Sequence, residues 1–320
     1  MALIPEKTDH LKATKPEWIG SNMSTLAKRI LYGILMIVGL GAALVGEGYW
    51  AGSNYFPILS SYWWLRGILF GLIAAILAAA GCLEIYKLAR DKGFHPPLGL
   101  MIIATVLVVM QPFYRAWRPG PYAGSLAGII FAALLLAGLF QALRYRNQDV
   151  LVNLAIACFT IIYLGLGLWF VVSIRLIERD SGWMWAQSGA ILLFLATVKS
   201  ADVGAYLIGR KWGRHKWVPS ISPKKTWEGF LGGMAVGVIV ALLFSWFSAI
   251  IPLWKAVIFG IVVALSGQMG DLLESMLKRD AGSKDSAQLV PEFGGILDML
   301  DSVLVAAPFA WLIILWPALF

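Results

Sequence analysis

The sequence predicts an all-α fold, a polytopic membrane helical bundle of about nine transmembrane helices whose N-terminus is cytoplasmic. Three observations lead to this prediction. Hydrophobic residues make up 59% of the 320 residues and charged residues only 14%, with a mean hydropathy of +0.76, whereas soluble domains contain roughly 45–50% apolar residues. Apolar stretches long enough to cross a bilayer recur along the chain, and Lys and Arg are concentrated on one side of them. We therefore expect an integral membrane protein that needs no separate soluble domain.

The transmembrane segments are predicted from apolar stretches of about 20 residues. The first stretch is not followed by a convincing small-residue cleavage site, so we interpret it as a retained span and not as a signal peptide. The third stretch is short, and we expect it to end at Pro112. The approximate limits of the predicted spans are 29–46, 65–83, 97–113, 122–143, 150–173, 186–208, 229–251, 254–273 and 297–319.

The orientation follows from the distribution of basic residues. With a cytoplasmic N-terminus, 19 of the 26 Lys and Arg residues fall in cytoplasmic segments and 6 in outer segments, as the positive-inside rule requires. This bias explains the net charge of +8. Because no soluble basic patch with interleaved aromatic residues is present, we expect no nucleic-acid partner. We place the chain in the cell (inner) membrane, with the polar segments 209–228 and 274–296 facing the cytoplasm.

The chain is predicted to have three parts. Residues 1–28 form a cytoplasmic arm, residues 29–190 form transmembrane helices that act as a scaffold facing lipid, and residues 191–320 form the catalytic transmembrane region. The division rests on polar groups at membrane depth, which gather in the last part. Cys82 and Cys158 lie in apolar stretches without metal-binding spacing, so we expect neither zinc nor a disulfide.

An acidic segment, 271–301, holds seven of the 18 acidic residues. Asp271 lies three residues before Glu274, which places the two on one face of a helix. Asp298 and Asp301 have the same spacing. Carboxylates suit Mg²⁺, and although a solvated loop would also collect charge, these acids extend into apolar stretches where ionisable groups are costly. The basic residues between the two pairs suit an anionic ligand, and they are Lys278, Arg279 and Lys284.

A second polar segment precedes the seventh predicted span. Lys199 and Asp202 are three residues apart, so they could form a structural ion pair or face a substrate. Adjacent lysines follow, with hydroxyl residues on both sides and a predicted helix N-terminus after them, which favours triphosphate binding. Such a lysine pair is also a common topology signal, and no Walker A loop is present. The candidate residues of this segment are Asp202, Ser222, Lys224, Lys225 and Thr226.

Both polar segments resemble the signature of the phosphatidate cytidylyltransferase family, also called CDP-diacylglycerol synthases. The resemblance covers roughly residues 195–310. Phe293 stands where the family usually has His, and Met299 stands where it has Arg, which puts the lipid acceptor or the activity itself in question. The matching residues are Asp202, Gly204, Ala205, Tyr206, Gly209, Arg210, Ser222, Pro223, Lys225, Thr226, Gly229, Gly232, Gly233, Ser275, Met276, Leu277, Lys278, Arg279, Lys284, Asp285, Pro291, Gly294, Gly295, Asp298 and Asp301.

The resemblance implies cytidylyl transfer from CTP to phosphatidic acid, giving CDP-diacylglycerol and pyrophosphate, with Mg²⁺ as cofactor and a second cation left open. As metal ligands and catalytic residues we assign Asp271, Asp285, Asp298 and Asp301, with Lys284 as a further catalytic residue and Asp202 as a weaker ligand candidate. As substrate-binding residues we assign Ser222, Lys224, Lys225, Thr226, Lys278, Arg279 and Asp202.

Three alternatives remain open from the sequence. The acceptor could be another lipid phosphate, such as a polyprenyl or archaeal-type ether lipid. The chain could be an inactive relative, or a secondary transporter with ion sites at Lys199, Asp202 and Asp271 near the midplane. The expected partners are CTP, phosphatidic acid and the bilayer, and the sequence leaves a homodimer open.

Overall fold

The computed structural model describes residues 67–117, 125–144, 149–177, 188–282 and 295–316. Within these ranges, eight helical segments are long and apolar enough to cross a membrane. They coincide with eight of the predicted spans, which confirms a polytopic helical bundle. The predicted first span and the N-terminal arm lie outside the described residues, so the total of nine spans and the N-terminal orientation stay predictions.

The helices are, in chain order, α1 (Ile68–Asp91), α2 (Leu98–Trp117), α3 (Leu126–Arg144), α4 (Val150–Thr160), α5 (Gly167–Arg175), α6 (Gly189–Trp212), α7 (Trp227–Ser248), α8 (Leu253–Asp280) and α9 (Ile296–Leu315). A π-helical segment, Ile161–Leu166, joins α4 to α5, so that all three form one 26-residue span. Single π-helical turns inside α-helices are frequent at functional sites.

The end of the third predicted span needs correction. Helix α2 does not end at Pro112 but continues to Trp117, with the proline inside it. Proline removes one backbone hydrogen bond and crowds the preceding turn. In a membrane bundle the freed backbone groups can be satisfied by neighbouring helices and side chains, and such a helix therefore persists.

A short β-hairpin between α6 and α7 was not predicted. Strands β1 (Lys216–Val218) and β2 (Ser222–Thr226) pair antiparallel. The rings of Trp217 and Phe230 lie 4.4 Å apart, which packs the hairpin against the start of α7. The Thr226 hydroxyl accepts a hydrogen bond from the Gly229 N–H at 3.2 Å. Thr226 is thus the N-cap of α7, and it fixes where the hairpin ends and the helix begins.

Glycines bring the C-terminal helices into close contact. A Cβ atom on Gly233 of α7 would lie 2.7 Å from the Ala201 carbonyl oxygen of α6, and one on Gly270 of α8 would lie 2.2 Å from the Asp301 carbonyl oxygen of α9. Small residues at such positions allow helix backbones to approach closely in membranes. The glycines therefore set the spacing of the helices that carry the polar segments.

The buried core and the outer surface lie on different helices. Phe194 of α6, Phe259 of α8 and Leu304 of α9 are almost completely buried. Helix α3, in contrast, leaves large apolar side chains such as Phe131 and Leu143 exposed. Exposed apolar side chains on a membrane-spanning helix suit contact with lipid. The centre of the bundle is therefore near α6, α8 and α9, and α3 is peripheral.

Candidate active site

Three carboxylates on two neighbouring helices converge. Asp271 and Glu274 lie one turn apart on α8, and the close approach of α9 at Gly270 adds Asp301. One carboxylate oxygen from each of the three lies within 4.8 Å of the others. We call this group the carboxylate trio. Glu274 and Asp301 are buried, whereas the side chain of Asp271 is 43% exposed.

The trio fits a divalent cation. Its ligand atoms are all carboxylate oxygens, which Mg²⁺ and Ca²⁺ prefer, and their spacing allows one ion to contact all three. The partly exposed side chain of Asp271 leaves one side of the cluster accessible to a further ligand. Among the described residues, this is the cluster whose geometry suits a metal ion.

Two lysines compensate the negative charge of the trio. Lys225 of β2 forms an ion pair with Asp271, with 2.9 Å between Nζ and Oδ2. Lys278, one turn after Glu274 on α8, forms an ion pair with Glu274 at 2.7 Å. The site therefore holds anionic and cationic groups in direct contact, an arrangement suited to an anionic ligand that arrives together with a metal ion.

Asp298 lies beside the trio and has other partners. Its Oδ2 accepts a hydrogen bond from the Gly295 N–H at 2.9 Å, at the N-terminus of α9, and its Oδ1 contacts Lys278. In this arrangement it caps α9 and holds Lys278 in place. Its predicted role as a metal ligand stays a prediction. The predicted site residues Asp285 and Lys284 lie outside the described residues.

The expected pairing of Lys199 with Asp202 is present at 3.5 Å. Ser302 of α9 joins it, because its hydroxyl donates to Asp202 at 2.8 Å and accepts from Lys199 at 3.2 Å. Lys199 also donates to the carbonyl oxygen of Met299 at 3.1 Å. These contacts connect α6 to α9 near the trio, so Met299 takes part through its backbone although its side chain departs from the family pattern.

A cavity of about 580 Å³ opens beside Asp271. We call it the polar pocket. Its volume falls within the roughly 300–1,000 Å³ typical of ligand pockets. The wall combines basic, acidic and aromatic side chains from α6, the hairpin, α7 and α8. The polar and aromatic lining residues are Asp202, Tyr206, Arg210, Lys216, Trp217, Lys224, Lys225, Thr226, Phe230, Gln268 and Asp271.

The predicted substrate-binding residues are distributed around this pocket. Lys224, Lys225 and Thr226 line it, as the run of lysines and hydroxyls predicts. Ser222 begins β2 without lining the pocket. Arg279 donates from Nη1 to the Ser220 carbonyl oxygen at 2.8 Å, which ties the end of α8 to the hairpin turn. The structure thus places Arg279 where it supports the hairpin.

Comparison with known proteins identifies the family. The model of the cytidylyltransferase family matches residues 28–316, which is most of the chain. The chain belongs to the cytidylyltransferase family. The match includes α1–α9, so the N-terminal helices are part of the family fold and not an unrelated addition.

Several bacterial cytidylyltransferases are similar to this chain over most of their length. The phosphatidate cytidylyltransferase of Staphylococcus saprophyticus is 33% identical over 247 residues, covering 76% of this chain and 88% of the relative. The enzyme of Staphylococcus aureus strain COL is 31% identical with the same coverage. The phosphatidate cytidylyltransferase of Mycobacterium bovis is 28% identical over 257 residues, covering 76% of this chain and 79% of the relative.

Two site residues of this family member come from helices that the sequence indicated only as scaffold. Glu84 of α1 is 1% exposed and accepts hydrogen bonds from the backbone N–H groups of Ile296 and Leu297, at 2.6 and 2.9 Å. Its carboxylate thus occupies the N-terminus of α9, where negative charge is stabilised. An acidic residue inside an apolar stretch is the signal that could have identified Glu84.

Tyr163 of the π-helical segment is the second such residue. It is 8% exposed, and its phenol oxygen has no hydrogen-bond partner among the described residues. The phenol lies close enough to the trio to interact with all three of its charges. A buried hydroxyl without a partner is rare, because its desolvation is not compensated. Nothing in the sequence around Tyr163 distinguishes it from an ordinary aromatic residue of a membrane span.

Proposed function

We propose that this chain transfers the cytidylyl group of CTP to phosphatidic acid, giving CDP-diacylglycerol and pyrophosphate. In this membrane-embedded member of the cytidylyltransferase family, the carboxylate trio lies at the edge of a pocket lined by basic side chains, and this arrangement supports such a transfer. The relatives that it resembles are named as phosphatidate cytidylyltransferases. Their substrate is the basis for naming phosphatidic acid as the acceptor.

The reaction requires two anionic reactants to meet. A phosphate oxygen of the lipid attacks the α-phosphorus of CTP, a new P–O bond forms, and the bond to the β-phosphate breaks as pyrophosphate leaves. The attacking phosphate is already largely ionised, so the site needs no strong general base. Catalysis of phosphoryl-type transfer is mostly positioning and charge stabilisation. The residues of the site therefore have to hold phosphates more than they have to move protons.

The polar pocket is the proposed CTP site. Lys224 and Lys225 of β2 face it together with Arg210 and Lys216, and these cations suit the triphosphate. Trp217 offers an aromatic face within the same wall. When the triphosphate binds in the pocket, Lys225 can exchange its ion pair with Asp271 for an ion pair with a phosphate of the nucleotide. That exchange would leave the Asp271 carboxylate open to a cation.

Asp271, Glu274 and Asp301 are the proposed holders of Mg²⁺. A bound divalent cation would neutralise charge on the reacting phosphates. Asp298 would have to release Lys278 to join them as a ligand, and in the described arrangement it orients that lysine toward the site. We propose Lys278 as a contact to the lipid phosphate. Asp285, Lys284 and Asp202 stay proposed participants, and a second cation and a homodimer stay predictions.

The proposed location is the inner membrane, with the site open to the cytoplasm, where CTP is made. The bias of Lys and Arg supports this orientation. In the described helices, the polar pocket lies where α6 ends and α7 begins, and α8 ends one to three turns beyond the trio. These helix ends share one side of the bundle, so a single orientation would expose the entire site to nucleotide.

The test uses purified protein in detergent, CTP labelled at the α-phosphate, Mg²⁺ and one acceptor at a time. We expect labelled CDP-diacylglycerol to form with phosphatidic acid, together with one equivalent of pyrophosphate. Product formed with a polyprenyl phosphate or an ether-lipid phosphate, and not with phosphatidic acid, would assign a different acceptor. Label that stays in CTP with every acceptor would overturn the enzymatic proposal, and cation-driven uptake into vesicles would then favour the transporter.

A further inference from the structure

Lys199 lies near the middle of the membrane-spanning helix α6, and the proposed reaction gives it no role. The helix runs for 24 residues, and the Lys199 side chain is 22% exposed. A lysine at membrane depth is costly, and such residues are functional by default. We therefore expect Lys199 to do something that an apolar residue at the same position could not do.

Two partners of the Lys199 ammonium group lie on α9. Nζ donates to the Met299 carbonyl oxygen at 3.1 Å and to the Ser302 hydroxyl at 3.2 Å. It also pairs with Asp202 on its own helix at 3.5 Å. An α-helix has about 3.6 residues per turn, so the two α9 partners lie at the ends of about one turn, with Asp301 between them. Lys199 therefore holds the turn of α9 that carries one carboxylate of the trio.

Ser302 connects this contact to the Asp301 carboxylate. The Ser302 backbone N–H donates to Asp301 Oδ1 at 2.5 Å, and both residues are buried. Among the described residues, the ion pair of Lys199 is with Asp202 and not with Asp301. Lys199 thus reaches the trio through α9, and a change in its contacts with α9 would change the direction of the Asp301 carboxylate.

Packing against α8 does not by itself fix the rotation of α9. At Gly270 of α8, an added Cβ would lie 2.2 Å from the Asp301 carbonyl oxygen, so the two backbones are in near contact. Such a steric contact limits how closely two helices approach, but it does not specify how one of them turns about its own axis. Hydrogen bonds, in contrast, are directional. The hydrogen bonds from Lys199 can therefore select the rotation of α9 that points Asp301 toward α8.

Lys255 makes a similar contact at the opposite end of α9. It lies near the start of α8, is 2% exposed, and donates from Nζ to the Ile314 carbonyl oxygen at 3.1 Å. Ile314 lies about 20 Å from Asp301 along the axis of α9. Both lysines thus bind a backbone carbonyl of α9, but the contact of Lys255 is remote from the trio. The chain therefore offers a matched control for any effect of Lys199.

We propose that Lys199 is a positioning residue for the metal site, whose hydrogen bonds to α9 set the rotation that brings Asp301 into the trio. The inference rests on the proposed function, because it names a residue that prepares the same site. It also gives position 299 a cation, since Lys199 of α6 binds the backbone of Met299, which stands where the family has Arg. The ammonium group thus supports this turn from a neighbouring helix.

The test measures Mn²⁺ binding to purified Lys199→Met in detergent. The substitution keeps a long side chain and removes the ammonium group. Loss of a positive charge would by itself tighten the binding of a cation, whereas displacement of Asp301 should weaken it. We expect the affinity, measured from the electron paramagnetic resonance signal of free Mn²⁺, to fall about tenfold, as is typical when a residue that orients a metal ligand is lost. Lys199→Arg keeps a cationic donor and should restore most of the affinity.

Lys255→Met is the control for a purely structural loss. It should lower the melting temperature, because a buried contact is lost, and leave Mn²⁺ affinity unchanged. Ser302→Ala removes only a hydroxyl, so it tests the same contact even if Lys199→Met does not fold, and it should also weaken Mn²⁺ binding.

Three results would overturn the inference: no saturable Mn²⁺ site in the parent, equal weakening in Lys255→Met, or parental affinity in Ser302→Ala and in folded Lys199→Met. The proposed function fails separately. Mn²⁺ binding that weakens as expected, in a parent that forms no CDP-lipid with any acceptor, would leave the role of Lys199 standing and remove the proposed reaction.

Discussion

The helices differ in how closely their glycines approach neighbouring helices. An added Cβ on Gly233 of α7 or on Gly270 of α8 would meet a backbone oxygen of another helix. Gly99 of α2 and Gly138 of α3 would have nothing within 4 Å of such an atom. The same division applies to charge. In α6–α9 ionisable side chains form short contacts between helices, such as Lys278 of α8 with Asp298 of α9 and Asp202 of α6 with Ser302 of α9, while α3 exposes mainly apolar side chains. Charged groups at membrane depth need fixed partners. The closely packed helices therefore carry the chemistry, and the looser ones face lipid.

Two residues are exceptions to this division between closely packed helices and lipid-facing helices. Glu84 and Tyr163 belong to the N-terminal helices and yet reach α9 and the trio. A division into scaffold and catalytic region is therefore too simple at these two positions.

Removing one charge of the trio should have the largest effect. Asp301→Asn keeps the shape of the side chain but loses the anionic ligand, so we expect turnover to fall by about 10²- to 10³-fold. Asp271→Asn should behave alike. The control is Asp91→Asn, an exposed acid at the end of α1, with unchanged turnover. Labelled CDP-lipid formation measures the rate, and a variant that folds and retains full magnesium-dependent activity would remove that residue from the proposed site.

Filling a close helix contact should come next. Gly270→Ala introduces a Cβ 2.2 Å from the Asp301 carbonyl oxygen, so α8 and α9 must separate. We expect a loss of about 1–3 kcal/mol in stability and reduced activity, because Asp301 moves away from Asp271. Gly138→Ala, with nothing within 4 Å of the added atom, should unfold no earlier than the parent. Thermal unfolding in detergent compares the two, and equal melting temperatures would contradict the packing argument.

Tyr163→Phe tests whether the N-terminal helices contribute a polar group to the site. The substitution removes only the hydroxyl, and the stacking on Phe159 remains. If the hydroxyl donates to a reactant, kcat should fall by up to about tenfold, the equivalent of one hydrogen bond, with little change in the KM for CTP. Tyr114→Phe, at an exposed tyrosine of α2, is the control. An unchanged kcat in Tyr163→Phe would show that the Tyr163 hydroxyl does not act on a reactant and that the residue is purely structural.

Glu84→Gln should have the smallest effect on rate. The neutral amide retains one oxygen for the N-terminus of α9 but loses the charge that favours that end of the helix. We expect a loss of stability of about 1 kcal/mol and a moderate fall in activity, since α9 carries Asp301. Chemical unfolding in detergent measures the change. A variant as stable as the parent would show that the two N–H contacts do not anchor α9.

Most of the fold could be predicted from the sequence, because hydropathy and span length are local properties. Eight of the predicted spans are present, and the three-residue spacing of Asp271 and Glu274 correctly placed both on one face of a helix. The predicted end of α2 at Pro112 was wrong, because in a bundle tertiary contacts override a local helix breaker. The β-hairpin was also missed, since its strands have only three and five residues.

The arrangement of the site was harder to predict from the sequence. Sequence spacing pairs Asp298 with Asp301, yet Asp301 joins Asp271 and Glu274 while Asp298 contacts Lys278 and the Gly295 N–H. That choice depends on how α9 is rotated against α8, which spacing within one helix does not specify. Tyr163 and Glu84 reach the site from more than 100 residues away in sequence. Such contacts follow from helix packing and leave no local pattern.

We propose that Asp271, Glu274 and Asp301 hold a divalent cation beside the polar pocket, and Mn²⁺ binding reports on these three carboxylates themselves. The free Mn²⁺ signal in electron paramagnetic resonance, recorded during titration of the purified protein, measures binding without any turnover. We predict a saturable site in the parent and in Asp91→Asn, with affinity at least about tenfold weaker in Asp271→Asn and Asp301→Asn. Identical Mn²⁺ binding in all four proteins would show that these carboxylates do not hold the cation.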